Sequence, residues 1–215
     1  LLVNGLPLVL IEAKTPVSAD TAFYIASATK PFFALDAPLA EHAGKIDTRT
    51  TLQAMFPSAR FTGFDASAVT ARQLLTHTAG LDNMPLVWAT AYTGLHDADT
   101  RQRLLQETRP NAEAPTGTFD YTNVGYNIAS VWLDAATGTA WQDQLASRIF
   151  KPLGMTRTTA RASVADAAGW PVAKPYSFAA ADRTQPLYLR KTDATMHAAG
   201  GMLSTAPDLA TFLIA

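Results

Sequence analysis

The stretch Phe23-Tyr24-Ile25-Ala26-Ser27-Ala28-Thr29-Lys30-Pro31-Phe32-Phe33 constrains this chain more than any other, because it joins an apolar extended run directly to a helix start. Pro31 suits the first helical turn, where its missing N–H costs nothing and its fixed φ is already helical. Ser27 and Lys30, at i and i+3, are then expected on one helical face, with Ser27 at the helix N-terminus. There the backbone N–H groups point outward, the dipole favours developing negative charge, and a neighbouring amine can take the hydroxyl proton. The pair is therefore a candidate activated nucleophile. A Ser-x-x-Lys spacing also arises by chance, with serine serving only as a helix cap, so its meaning depends on the rest of the chain.

The totals remove several function classes. With 215 residues, 48% of them apolar and 16% charged, the chain is large enough for one substantial core. Seventeen basic against eighteen acidic residues give a net charge of −1, which offers a nucleic acid nothing to steer by. There is no cysteine, hence no disulfide, thiolate nucleophile or cysteine metal site. The histidines His42, His77, His96 and His197 stand apart without a metal-ligand spacing, so no metal or other cofactor is expected. The apolar run Leu6 to Ile11 is too short to span a bilayer and no export signal precedes it, so the composition leaves the compartment open.

In chain order, Leu1 to Ile11 reads as strand, Asn4-Gly5 hairpin turn and a second, buried strand. A helix is expected from Ser27 to Ala43, stopped by Gly44, burying Phe33, Leu35, Leu39 and His42, and kinked or broken near Leu35 by Pro38. Thr70 and Gln73 form a capping box for a short helix. Residues 81–96 read as loop, Ala98 to Thr108 as helix, and Val124 to Ala136 as helix stopped by Gly138. Thr139 with Gln142 is expected to cap the next helix, and Ser204 or Thr205 the last one, Pro207 to Ala215.

A serine nucleophile also needs a group to move a proton to the leaving atom and a donor to hold the substrate. Tyr121-Thr122-Asn123 supplies both kinds, a phenol and, two residues on, an amide that faces the same cleft if the segment is extended. A core tyrosine and a helix-capping asparagine would be written the same way.

Five motifs in order decide between these alternatives. Phe23 to Pro31, Leu74-Leu75-Thr76-His77-Thr78-Ala79-Gly80-Leu81, Tyr121-Thr122-Asn123-Val124-Gly125-Tyr126, Pro152-Leu153-Gly154-Met155-Thr156-Arg157-Thr158 and Gly200-Gly201-Met202-Leu203-Ser204-Thr205-Ala206 together resemble the serine β-lactamase and penicillin-binding-protein-like family, in its branch of class C β-lactamases, related esterases and D-stereospecific peptidases. The resemblance implies an α/β (α+β) fold of the β-lactamase/transpeptidase type, here mostly its helical part. It implies a serine hydrolase acting on esters or amides (a carboxylesterase, β-lactamase or D-peptidase) through an acyl-enzyme on Ser27. Lys30 would activate the serine, Tyr121 would act as general base and acid, and Asn123 would bind a small-molecule ester, β-lactam or peptide substrate. The Ser27 N–H would form half of the oxyanion hole, with His77 and Gly80 shaping the turn behind the site and Gly200 and Gly201 serving close backbone packing.

Two departures stand against the family pattern. Its third motif, a Lys-Thr-Gly or His-x-Gly triad on a late strand, has no counterpart after residue 200, so the expectation is a domain, residues 15–215, truncated before its last strands. Residues 3–14, Val3 to Lys14, separately resemble the nuclease motif of type I restriction motor subunits, in which a Glu-x-Lys like Glu12 to Lys14 binds metal; residues 1–14 are therefore set apart as a strand pair of uncertain origin. A non-catalytic remnant of the same fold and a metal-dependent nuclease fragment are the competing functions, and the near-neutral charge speaks against the second.

Overall fold

The computed structural model describes residues 2–3, 6–7, 17–177, 179–182, 184–187 and 190–215. At the start, β1 (Leu2–Val3) and β2 (Leu6–Pro7) pair antiparallel, Leu2 opposite Pro7 and Val3 opposite Leu6. The expected turn between them, and Glu12 and Lys14, lie outside the described residues. The strand that matters for the site is β3 (Phe23–Tyr24), which enters a tight single turn, Ala26–Thr29, and then α1 (Lys30–His42).

Helix α1 departs from its sequence reading in three respects, the first being that it starts at Lys30 and leaves Ser27 in the turn ahead of it. It runs unbroken through Pro38 to His42, and Gly44, with a φ of +67°, then lets the chain turn away. Its buried face is Phe32, Phe33, Asp36, Ala37 and Ala40, while Leu35, Leu39 and His42 are exposed. Aromatic packing sets this register. Phe33 meets Trp141 edge-on at 6.0 Å, and Phe32 stacks on Phe212 at 3.8 Å. Asp36 is carried inward by the same face and takes a hydrogen bond of 2.9 Å from Arg148, a partner no local pattern announces.

The short helices α2 (Leu52–Met55) and α3 (Ala71–Leu75) follow, the latter closed by the expected Thr70–Gln73 capping box. Residues 81–96 depart from the loop expectation: β4 (Leu81–Asp82) leads into α4 (Met84–Trp88) and a wide turn, Ala89–Thr93. Asn83 makes this possible, its Oδ1 accepting from Leu86 N at 3.0 Å and its Nδ2 donating to Leu104 O and Thr108 Oγ1. Then come α5 (Ala98–Leu104), β5 (Arg109–Pro110), paired with β4, and α6 (Val124–Thr137), stopped as expected by Gly138 at φ +66°. Helix α6 is the central one, buried along its first ten positions from Val124 to Leu133.

Helix α7 (Trp141–Leu145) is not capped by Thr139. Its first N–H instead donates to Asp134 Oδ1 at 2.7 Å, a carboxylate from the end of α6 that also receives Arg101 at 3.1 Å. Beyond α8 (Ala162–Ala167), the chain returns through β6 (Leu203–Ser204), which pairs antiparallel with β3, Phe23 opposite Ser204 and Tyr24 opposite Leu203. The last helix, α9 (Ala206–Ile214), is capped by Thr205, which accepts from Asp208 N. One core of Phe, Leu, Met and Trp side chains joins α1, α3, α4, α6 and α7, and a smaller cluster of Ala162, Ala165, Met196 and Leu203 lies beside Tyr24. Among the described residues no helix is long and apolar enough to cross a membrane.

Candidate active site

Ser27 sits exposed in the tight turn between β3 and α1. The preceding Ala26 has φ +47°, a left-handed backbone that a side chain rarely takes, so this elbow is strained. It is held from both sides: Ile25 N donates to Met202 O at 3.0 Å, and Ala28 N donates back to Ile25 O at 3.0 Å. The β3–β6 pairing thus fixes the turn that presents the hydroxyl.

Lys30, only 4% exposed, points its amine at three oxygens. The Nζ atom lies 3.1 Å from Ser27 Oγ, 2.8 Å from Asn123 Oδ1 and 2.7 Å from the Ala199 carbonyl. Neither an amide oxygen nor a backbone carbonyl can donate a proton. Both must accept one from Lys30, which leaves the third tetrahedral position of the nitrogen facing the serine. Burial pushes the Lys30 pKa below its ordinary value, and the nearby Tyr121 phenol pulls it partly back. A neutral amine in this setting has its lone pair directed at the Ser27 hydroxyl.

Tyr121 and Asn123 arrive on the segment before α6. The Tyr121 ring lies under the Lys30 amine, 4.7 Å from Nζ to the ring centroid, and remains 44% exposed. Asn123 occupies the N-cap position of α6 yet makes no capping bond, because its Oδ1 is given to Lys30. Tyr126, in the first turn of α6, also lies beneath Lys30 at 5.6 Å, but its hydroxyl donates to Leu75 O at 3.0 Å and burial raises its pKa to about 12. That phenol is fixed in its protonated form.

His77 organises this segment from behind. Its backbone is left-handed, φ +60°, its carbonyl accepts from Asp120 N at 2.8 Å, and its Nδ1 accepts from Thr122 N at 3.3 Å. Burial, followed by the Lys30 charge, lowers its pKa, in keeping with an unprotonated acceptor. The imidazole packs on Tyr121 at 4.7 Å and Tyr126 at 5.2 Å. Two glycines let the pieces close: a Cβ on Gly125 would lie 2.2 Å from Leu74 O, and one on Gly80 2.3 Å from Thr116 N. Gly201 likewise passes against the backbone of Met196 and His197.

The structure therefore brings Ser27, Lys30, Tyr121 and Asn123 into one cluster, with His77 and the glycines behind it. Sequence reasoning missed Ala199, since a carbonyl acceptor leaves no side-chain signature. It also missed His197, buried behind the Ala199 turn with Nδ1 3.2 Å from Asn127 Oδ1; burial and the charges of Lys191 and Lys30 lower its pKa to about 3. Among the described residues no group of three or more His, Cys, Asp or Glu side chains could hold a metal ion.

Comparison with known proteins follows the same lines. The family model described as Beta-lactamase matches residues 6–215. That match takes in most of residues 3–14, and the likeness of this stretch to a nuclease motif finds no support. The chain is 31% identical over 149 residues to penicillin-binding protein 4* of Bacillus subtilis (strain 168), covering 67% of this chain and 32% of that protein. It is 26% identical over 213 residues to unguisins hydrolase ungD′ of Aspergillus campestris, covering 94% of this chain and 39% of that protein. The crystal structure of D-amino acid amidase from Ochrobactrum anthropi SV3 superposes with a TM-score of 0.71 at 28% identity, over 93% of this chain and 57% of the amidase. The chain thus spans well under two thirds of the length of these relatives.

Proposed function

This chain belongs to the beta-lactamase family, and from that premise we propose that it is the nucleophile-bearing part of a serine hydrolase that cleaves esters or amides through an acyl-enzyme on Ser27. The observation that carries the reading is the three-way contact of Lys30 Nζ, with two acceptors that cannot donate and one serine hydroxyl. The neutral amine takes the Ser27 proton as Oγ attacks the substrate carbonyl carbon. The developing oxyanion is met by the backbone N–H of Ser27 in the tight turn that leads into α1. As the tetrahedral intermediate collapses, the bond to the leaving oxygen or nitrogen breaks, and that atom takes a proton relayed from Lys30 through the exposed Tyr121 phenol. Water then attacks the acyl-enzyme while the same groups receive its proton, which frees the acid and restores Ser27. Asn123 holds both Lys30 and the substrate side of the cleft. The D-amino acid amidase, the penicillin-binding protein and the unguisins hydrolase among the relatives agree with amide or ester substrates. Residues 15–215 are read as one hydrolase domain.

The test is intact-mass spectrometry after incubation with a fluorophosphonate and, separately, a penicillin, with Ser27→Ala alongside. One stoichiometric adduct, absent in Ser27→Ala, is expected. Well-folded protein that gains no mass would refute the assignment and leave a binding domain of the same fold.

A further inference from the structure

Among the described residues, Lys191 is a half-buried ammonium outside the Ser27 cluster whose surroundings are built rather than incidental. Its Nζ donates to the Ala91 carbonyl at 2.6 Å and lies between two phenol rings, 5.1 Å from the centroid of Tyr24 and 5.6 Å from that of Tyr92. Cation–π contact on both flanks favours the charged form, while burial opposes it and lowers the pKa. Among the described residues no carboxylate forms an ion pair with Lys191, although Asp193 stands two positions on; that side chain is instead given to Ser163. The ammonium has three protons, and one is placed on Ala91.

The walls around it are fixed by separate contacts. Gly94 closes against Ala194, where a Cβ would approach to 3.1 Å, and His96 Nε2 meets Ala194 O at 2.8 Å, so the wide turn 89–93 and the segment 191–195 form one unit. Tyr92 and Trp88 extend that unit outward, both exposed, with rings 5.2 Å apart. Tyr24 ties it to the catalytic turn, lying on β3 just ahead of Ser27. Lys191 and Lys30 share a neighbour, since both charges bear on His197, two positions before Ala199, whose carbonyl Lys30 holds. Tyr24, three positions before the serine that would carry the acyl group, is the element the two sites share.

We propose that Lys191, between Tyr24 and Tyr92, receives a carboxylate carried on the acyl part of the substrate, so that the enzyme prefers acidic acyl groups. This rests on the hydrolase reading above. A carboxylate would take the two remaining N–H groups as charge-assisted hydrogen bonds, with the aromatic rims covering its carbon chain.

Two measurements test it independently of each other. The first compares kcat/KM for 4-nitrophenyl hydrogen glutarate and 4-nitrophenyl valerate, which differ by a carboxylate in place of a methyl-bearing end, in wild type and in Lys191→Met. The ratio of the two is expected to fall roughly tenfold in Lys191→Met, for the loss of one charge-assisted contact, and to recover in part in Lys191→Arg. A ratio that stays put in folded Lys191→Met, or that fails to recover with Arg, overturns the proposal. The second needs no turnover: ligand-observed NMR of wild type with glutaramate and with glutaramide. Binding of glutaramate alone, lost in Lys191→Met, supports the subsite even if neither ester is cleaved, an outcome that would count against the hydrolase reading only. Equal binding of the two, or binding of neither, overturns it whether or not the variant folds.

Discussion

Gly125→Ala sets two effects of opposite sign against each other. Gly125 lies in the first turn of α6, and alanine in a helix is ordinarily worth about 1 kcal/mol over glycine. Here the added methyl would sit 2.2 Å from Leu74 O, 2.9 Å from Leu74 C and 3.1 Å from Leu74 Cα, where ordinary contact begins at 3.4 Å. All three atoms are backbone, at the end of α3, so no side chain can swing aside; α3 and α6 must separate by about 1 Å. Overpacking of this kind costs ~1–3 kcal/mol, and a rigid obstacle belongs at the upper end. The net effect is a destabilisation of about 2 kcal/mol, which in a domain of this size lowers Tm by roughly 4–8 °C. Because α3 runs directly into the His77 turn that holds Thr122, the same shift should loosen Tyr121 and slow acylation more than it weakens substrate binding. Differential scanning calorimetry of both proteins gives the first number and single-turnover acylation the second. A variant as stable as the parent, or more so, would refute the claim that backbone contact and not helix propensity decides this position.

Two further outcomes follow from charge. The acylation rate should rise with pH along a limb whose midpoint lies below the ordinary lysine value of 10.5, since the proposed mechanism uses Lys30 as a neutral amine and burial lowers its pKa; a rate flat from pH 6 to 10 would contradict that mechanism. Arg148→Met should cost about 3–5 kcal/mol at neutral pH, because it strips Asp36, fully buried, of its 2.9 Å charge-assisted partner. Urea denaturation reads this directly, and a loss below about 1 kcal/mol would show that Asp36 is held by something else.

The elements most legible from sequence were those whose signals are local. The capping box at Thr70, the glycine stops at 44 and 138 and the Thr205 cap each involve neighbours a few residues apart, and each stands where the spacing placed it. Errors came where a distant partner overruled the local pattern. Trp141 draws its cap from Asp134 of the preceding helix and leaves Thr139 unused; α1 buries an aspartate in place of Leu35 because Arg148 waits for it; Asn83 turns an apparent loop into a helix start by bonding to α5. Within the site, the spacing of Ser27 and Lys30 and the alternation of Tyr121 and Asn123 carried enough to bring four side chains together. The Ala199 carbonyl could not be seen, since every residue has one.

That carbonyl lies 169 positions along the chain from the amine it binds, whereas the serine is only 3 away. As the polypeptide emerges from the ribosome, Ser27 and Lys30 are made early and the group that completes the lysine's dry surroundings is made late. In a chain not yet folded that far, Lys30 lacks this acceptor and the burial that lowers its pKa. On the proposed mechanism, activation of Ser27 is thus a property of the closed domain and not of the Ser-x-x-Lys spacing alone.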